Sequence, residues 1–194
     1  MKLSRIRVRF FQEHHVSVAE YPRNTKMILG SLLGAIAAIL QSAGLIGGFG
    51  YLFSMMATGP IVLATIISAR FGILTYAVTG LLLLVIQPSE VLVFLFTTGL
   101  LGVTLGLGFK WSRRILSVTL IGGLSLTMGI LLLLNLFHFP VLGPSLSSKV
   151  TFLSALAIAA FSLIYSWIWM RVSMSGMKQL NKRVMSKVLL EKSD

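Results

Sequence analysis

The chain has 194 residues, of which 56% are hydrophobic and 11% charged, and its formal net charge is +12. Soluble globular chains carry about 25% charged residues, so this composition excludes an ordinary soluble domain and indicates an integral membrane protein. The basic excess does not indicate nucleic-acid binding, because the Lys and Arg residues flank apolar stretches as the positive-inside rule requires. The absence of cysteine excludes disulfides, thiolate nucleophiles and cysteine-ligated metal sites.

The chain begins with a basic segment, residues 1–26, which we predict to be cytoplasmic or interfacial. Residues 27–69 then contain no Lys, Arg, Asp or Glu. A single helix of this length would be about 65 Å long, whereas the bilayer core is about 30 Å thick. The stretch must therefore fold back, and its glycine-rich middle marks the turn. The turn glycines are Gly44, Gly47, Gly48 and Gly50. The predicted helices are Met27–Leu45 and Tyr51–Ala69.

Four more apolar stretches follow, separated by short polar or basic turns. The corresponding predicted helices are Ile73–Ile86, Val91–Phe109, Ile115–Phe137 and Val150–Met170. We expect a tight turn at Arg70-Phe71-Gly72 and another at Gln87-Pro88-Ser89-Glu90. The last segment, residues 171–194, is predicted to be a basic amphipathic cytoplasmic tail that either lies on the anionic leaflet or only signals topology.

Alternation of the helices places 16 of the 17 basic residues on one side and Lys149 alone on the other. The basic side of a membrane protein is cytoplasmic, so both termini are predicted to be inside. The fold class is therefore all-α, an integral membrane bundle of six transmembrane helices over residues 27–170. The lipid bilayer of a bacterial cell membrane is the expected location, with multiple passes.

The first helix carries small residues at every fourth position. These are Gly30, Gly34, Ala38 and Ser42, with Ser31 and Ala35 in a second row beside them. Small residues let helix backbones approach closely in lipid, where no hydrophobic effect drives association. The row is either a docking face for another membrane protein or a packing face within the bundle. A similar row in the fourth helix, Gly102 and Gly106, is interpreted as packing within the bundle.

Gly59-Pro60 lies in the middle of the second helix. Proline removes a backbone donor and clashes with the preceding turn, so we expect a kink or a break there. Broken helices near the bilayer midplane often line solute sites. The other interpretation is a kink that neighbouring side chains satisfy.

Polar side chains are few at the predicted outer ends of the helices. They include Gln41, Gln87, Glu90, Asn135 and His138. Each comes from a helix end or an adjacent turn, so they are expected to converge on an outward-facing solute site. Glu90 is the only acid on that face. Taken singly, each is more typical of an interface residue in contact with water and headgroups.

Signatures of catalysis are absent from the sequence. It contains no G-x-x-x-x-G-K-[ST], no H-E-x-x-H and no pair of carboxylates within the apolar stretches. We therefore expect no enzymatic activity, no cofactor, no metal site and no nucleic-acid partner.

The segment from Pro60 to Lys110 resembles the substrate-binding S components of energy-coupling factor transporters. The resemblance rests on the proline of the second helix, the Arg70-Phe71-Gly72 motif, Gly80 and the glycine-rich fourth helix. Uncharacterised bacterial multi-pass proteins of the same superfamily are similar too.

The resemblance implies that the chain binds a small solute from outside and docks on a transmembrane T component driven by ATPase subunits. The family's docking row on the first helix would correspond to Gly30, Gly34 and Ala38, two of which are glycines here. No vitamin-specific motif matches, so the solute is not identified. The alternatives are a structural scaffold of the cell-shape or envelope assembly type and an accessory subunit of a membrane enzyme.

Overall fold

The computed structural model of the chain describes residues 22–46, 48–112, 114–137 and 152–191, with the backbone alone described for 45, 46 and 177–191. The regular structure within these ranges is helical. Six of the described helices are long and apolar enough to span a membrane, which confirms the predicted all-α, multi-pass architecture. In chain order, α1 to α6 are Arg23–Ser42, Phe49–Ile67, Ala69–Ile86, Pro88–Trp111, Ile115–Asn135 and Phe152–Glu191.

Helices α2 and α4 pack against each other in the middle of the bundle and are the most buried. Helices α1 and α3 pack together on one side of this central pair, and α5 and α6 pack together on the other. The buried side chains form one cluster for each half. Ile61, Leu83 and Phe94 belong to the cluster on the α1 and α3 side, and Leu101 and Met170 to the other. The outward faces of the helices are apolar, as contact with lipid tails requires.

Glycines allow α4 to lie almost backbone to backbone against α2. A methyl group added at Gly102 would lie 2.7 Å from the Cβ of Ile61, and one added at Gly106 would overlap Thr65. Because lipid tails are as apolar as leucine side chains, close van der Waals packing of this kind is what stabilises helix association in a membrane. The interpretation of the α4 glycine row as packing within the bundle is confirmed.

The chain reverses between α2 and α3 at Ser68, whose backbone is extended (φ −156°, ψ 128°). Arg70, Phe71 and Gly72 belong to the first turn of α3, so the tight turn predicted at these residues is wrong. The amide of Gly72 donates to the carbonyl of Ser68 at 2.8 Å. A side chain at Gly72 would overlap Thr65 of α2, so the glycine serves the close approach of two helices.

The connection between α1 and α2 contains a short 3-10 helix, Ala43–Ile46, followed by Gly48 at φ +43°. Residues with a side chain rarely adopt this conformation, so Gly48 suits the predicted turn. At the second predicted turn, Gln87 alone leaves the helical conformation, and α4 begins at Pro88. Proline is favoured at the first position of a helix because the N–H that it lacks would have no intrahelical acceptor there.

Helix α6 runs without interruption from Phe152 to Glu191. At 1.5 Å per residue its 40 residues extend over about 60 Å, of which Phe152–Gly176 is the apolar part. The tail predicted as a separate segment over 171–194 is therefore, up to Glu191, the continuation of the last transmembrane helix. Good helix formers directly after Gly176, namely Met177, Lys178, Gln179 and Leu180, favour this continuation. Residues 1–21 and 192–194 lie outside the described ranges.

Candidate functional site

Three polar side chains from two helices meet near one end of the bundle. Gln41 of α1 donates from Nε2 to Oε2 of Glu90 at 2.8 Å. The hydroxyl of Thr98 donates to Oε1 of the same glutamine, also at 2.8 Å. Gln41 is fully buried and Glu90 is half-buried. We call Gln41, Glu90 and Thr98 the Gln41 cluster.

The local structure explains why these three residues meet. Gln41 lies in the last turn of α1 and Glu90 in the first turn of α4. The carboxylate lies over Gly44, where an added methyl group would be 3.0 Å from Oε1. The glycine therefore leaves the space that the carboxylate occupies. The predicted convergence of Gln41 and Glu90 is present in the structure.

Thr98 reaches the cluster because α4 is not a regular α-helix at this level. Residues Phe94–Thr98 form a π-helical segment, and the amide of Gly99 donates to the carbonyl of Phe94. In a regular α-helix the amide of Gly99 would donate to the carbonyl of Leu95. Here that carbonyl accepts from the hydroxyl of Tyr76 at 2.8 Å instead. Segments of this kind occur frequently at functional sites.

The sequence analysis missed the π-helical segment and Thr98. The available signal was the pair Thr97-Thr98 in an otherwise apolar helix. Both threonines are buried. Buried hydroxyls require partners, and in a helix the partner is either a carbonyl of the preceding turn or a neighbouring helix. The hydroxyl of Thr97 donates to the carbonyl of Val93 in the preceding turn. The hydroxyl of Thr98 donates to Gln41 of the neighbouring helix α1.

Gln87 lies beside the cluster at the start of α4, and its carbonyl accepts from the amide of Glu90 at 3.1 Å. Its side chain is buried, at 4% exposure. The Nε2 atom is 3.5 Å from the hydroxyl of Ser89, and Oε1 has no partner within the described part of the chain. A buried amide oxygen without a donor is energetically costly, and because this atom is closed to solvent, a ligand or a water could bond to it only inside the bundle.

Asn135, which was also predicted for the solute site, is not brought to the Gln41 cluster by any described contact. Asn135 is exposed at the last position of α5. The end of α5 does approach α4, since the rings of Phe137 and Phe96 lie 5.4 Å apart. His138 lies outside the described residues.

Gly59-Pro60 follows an interruption of α2 at Ala57, on either side of which lie Phe49–Met56 and Thr58–Ile67. The backbone of Ala57 remains in the helical region (φ −58°, ψ −23°), so the feature is a kink and not an unwound break.

The kink is covered by helix α6. A methyl group at Gly59 would lie 3.0 Å from the ring of Trp169. The hydroxyl of Tyr165 donates to the carbonyl of Met55 at 3.1 Å. Side chains of a neighbouring helix therefore cover the kink. This is expected where the backbone groups freed by a kink find their partners within the bundle.

The small-residue row of α1 is packed within the chain. Gly30, Gly34 and Ala38 are buried, and Ser42 is half-buried and donates to the carbonyl of Ala38. Two threonines of α3 lie over the row: Thr75 donates to the carbonyl of Gly30 and Thr79 to that of Gly34, each at 3.2 Å. A partner could dock on this row only if α3 moved away.

The groups of the Gln41 cluster can supply hydrogen bonds and one charge. They are one carboxylate, one amide group and one hydroxyl, and Gln87 beside the cluster adds a second amide group. Within the described residues no three His, Cys, Asp or Glu side chains are grouped as metal ligands. Comparison of the chain with protein-family models, with curated proteins and with solved structures found no match.

Proposed function

We propose that the chain is a non-enzymatic membrane transport subunit, similar to an S component, that binds a small solute at the Gln41 cluster. The observation that carries the proposal is the half-buried carboxylate of Glu90, which is held by a fully buried glutamine at the end of the bundle that alternation predicts to be the outer one. A carboxylate close to apolar walls is costly unless it is paired or hydrated. A solute site is one reason to place it there.

The groups at the site favour a solute that donates hydrogen bonds. Glu90 and the Oε1 atom of Gln87 are both acceptors, and the described side-chain donor to the carboxylate is the single Nε2 of Gln41. Solute pockets are mainly apolar with a few placed polar groups, and the surroundings of the cluster fit that description: Val91 and Phe94 are buried nearby in α4. An amine or another cationic solute would complement these acceptors.

A transmembrane T component with ATPase subunits remains the proposed partner. The outward face of α1 is the surface that such a partner would meet, since the small-residue row is covered by α3. This face is apolar, with Ile28 68% and Ile39 69% exposed. Docking would therefore use large apolar side chains of α1 and not its glycines.

A scaffold function is the second candidate, and one observation favours it. Both ends of the Gln41 amide are satisfied within the chain, by Glu90 and by Thr98. A fully satisfied buried network specifies a unique packing and needs no ligand. On this interpretation the Gln41 cluster fixes α1 against α4, and the protein acts as a scaffold by binding other proteins on its outer surfaces.

The test compares Glu90→Gln with Glu13→Gln, a matched change in the N-terminal segment. The protein is purified from its native membrane in mild detergent, and the small molecules that remain bound are identified and titrated back. Hydrogen bonds to charged groups contribute about 1.5–3 kcal/mol, so we expect Glu90→Gln to weaken binding roughly 10- to 100-fold and Glu13→Gln to leave it unchanged. An affinity within twofold of wild type for both variants would remove Glu90 from the solute site. Absence of any bound small molecule would favour the scaffold.

A further inference from the structure

A narrow groove runs between α1 and α3 at the end of the bundle opposite the Gln41 cluster. Its volume is about 60 Å³, and it is lined by Met27, Gly30 and Ser31 of α1 and by Phe71, Leu74 and Val78 of α3, with Thr75 between them. The small residues Gly30 and Ser31 create the space between the two helices. Several lining residues are exposed, including Met27 at 46% and Leu74 at 54%, so the groove opens to the surface that faces lipid.

A groove of this volume encloses no whole small molecule, because small-molecule sites occupy about 300–1,000 Å³, so a ligand enters it only in part. Its apolar lining and its opening toward lipid suit part of an acyl chain. From Phe71 to Val78 the helix rises about 10 Å, so the groove follows the helix axes from the end of the bundle toward its middle. An acyl chain of a phospholipid lies in this direction and enters at this depth.

Basic residues stand at the mouth of the groove. Arg23, Met27 and Ser31 follow at intervals of four, which places them on one face of α1. Arg70 directly precedes Phe71 in α3. Both arginines are exposed. The acids within the described part of the chain are Glu90, at the opposite end, and Glu191, at the end of α6. Among the described residues, the charge at the mouth is therefore complementary to a phosphate.

We propose that this groove binds one acyl chain of an anionic phospholipid, with the headgroup phosphate at Arg23 and Arg70. The apolar lining accommodates the chain, and the two guanidinium groups select an anionic headgroup over a zwitterionic one. A transmembrane helix is a less suitable occupant, since a groove of about 60 Å³ admits no helix backbone and the apolar surface of such a helix supplies no negative charge to the arginines. The proposal does not depend on the solute site at the other end.

The test uses the full chain in mild detergent, titrated with phosphatidylglycerol or phosphatidylcholine carrying identical acyl chains and followed by native mass spectrometry. We expect phosphatidylglycerol to bind more tightly. A basic residue at the membrane surface contributes about a fivefold change in affinity. Arg23→Gln and Arg70→Gln should therefore each weaken phosphatidylglycerol about fivefold and phosphatidylcholine less, because the choline group offsets the charge of its phosphate. Arg114→Gln, an exposed arginine before α5, is the matched control.

The chain-binding half of the proposal is tested by filling the groove. Ser31→Leu places apolar volume in it from an exposed position, so the bundle itself is not overpacked, and Val78→Trp fills it from α3. Both should lower the binding of either lipid, whereas Ser175→Leu, at an exposed position of α6, should not. Soluble glycerol phosphate should not compete, because it has no acyl chain.

Three results would overturn the proposal. The first is equal binding of the two lipids by the wild-type chain. The second is unchanged phosphatidylglycerol binding by both groove-filling variants. The third is loss of a co-purified protein, and not of lipid, from Ser31→Leu and Val78→Trp, which would make the groove a protein interface.

Discussion

Replacement of Gly34 by leucine tests whether the α1 row packs inside the bundle or serves a partner. A methyl group at Gly34 would lie 3.2 Å from the hydroxyl of Thr79 and 3.3 Å from Cγ2 of Thr75. The remaining three carbons of a leucine side chain have no space on the α3 side. Helix α3 must then move outward, which would break the two threonine bonds to the carbonyls of α1.

The size of the effect follows from these contacts. Overpacking of a close helix crossing costs about 1–3 kcal/mol, and each interhelical hydrogen bond in a membrane contributes about 0.6 kcal/mol. Gly34→Leu should therefore lower the free energy of unfolding by roughly 2–4 kcal/mol. For Gly34→Ala the neighbours need to yield only a few tenths of an ångström, and alanine is the better helix former by about 1 kcal/mol. We expect its stability to stay within about 1 kcal/mol of wild type.

The assay is equilibrium unfolding of the purified chain in mixed micelles, combined with size-exclusion chromatography after heating. Ser31→Leu is the control, since it adds the same side chain to α1 at an exposed position. If Gly34→Leu remains monodisperse and as stable as Ser31→Leu, then α3 does not cover the row. The packing of α1 against α3 would then be wrong, and the row would be free for a partner.

Two further predictions concern topology and the π-helical segment. Single cysteines introduced into this cysteine-free chain should react with an impermeant thiol reagent from outside at two positions and not at two others. The reactive positions are 49 and 89, and the protected ones are 70 and 112. Outside labelling at position 112 would contradict the six-span topology. Tyr76→Phe removes the donor to the carbonyl of Leu95 and should destabilise the chain by about 1 kcal/mol, with the loss measured by the same unfolding assay; no loss would mean that water satisfies this carbonyl.

The number of spans was predictable because a bilayer imposes a fixed apolar length on each helix. Lys, Arg, Asp and Glu are therefore concentrated between the apolar stretches and at the two ends of the sequence. The proximity of Gln41 and Glu90 was predictable for the same reason, since alternation brings the end of α1 and the start of α4 to one face. Gly34 was harder to interpret. A row of small residues indicates a close crossing but carries no information on whether the crossing helix belongs to the same chain.

Other features depended on interactions that local sequence does not encode. The reversal at Ser68 places Gly72 against Thr65, and no residue pattern around Arg70 distinguishes a turn from the first turn of a helix. The π-helical segment is stabilised by Tyr76, which lies on a different helix. Composition around Thr98 is that of an ordinary apolar helix with two hydroxyls.

The π-helical segment also determines how α4 tolerates insertions and deletions. The part of α4 before this segment presents Glu90 to Gln41, and the part after it presents Gly102 and Gly106 to α2. Deleting one residue within Phe94–Thr98 would replace the i→i+5 turn by an ordinary i→i+4 turn and leave these two faces nearly aligned. Each residue of a regular helix turns the chain by about 100°, so deleting one residue on either side of the π-helical segment would rotate the two faces relative to each other by that angle. Either the carboxylate or the glycine row would then point toward lipid. The length of α4 is therefore fixed on either side of the segment, whereas its lipid-facing side chains are free to vary.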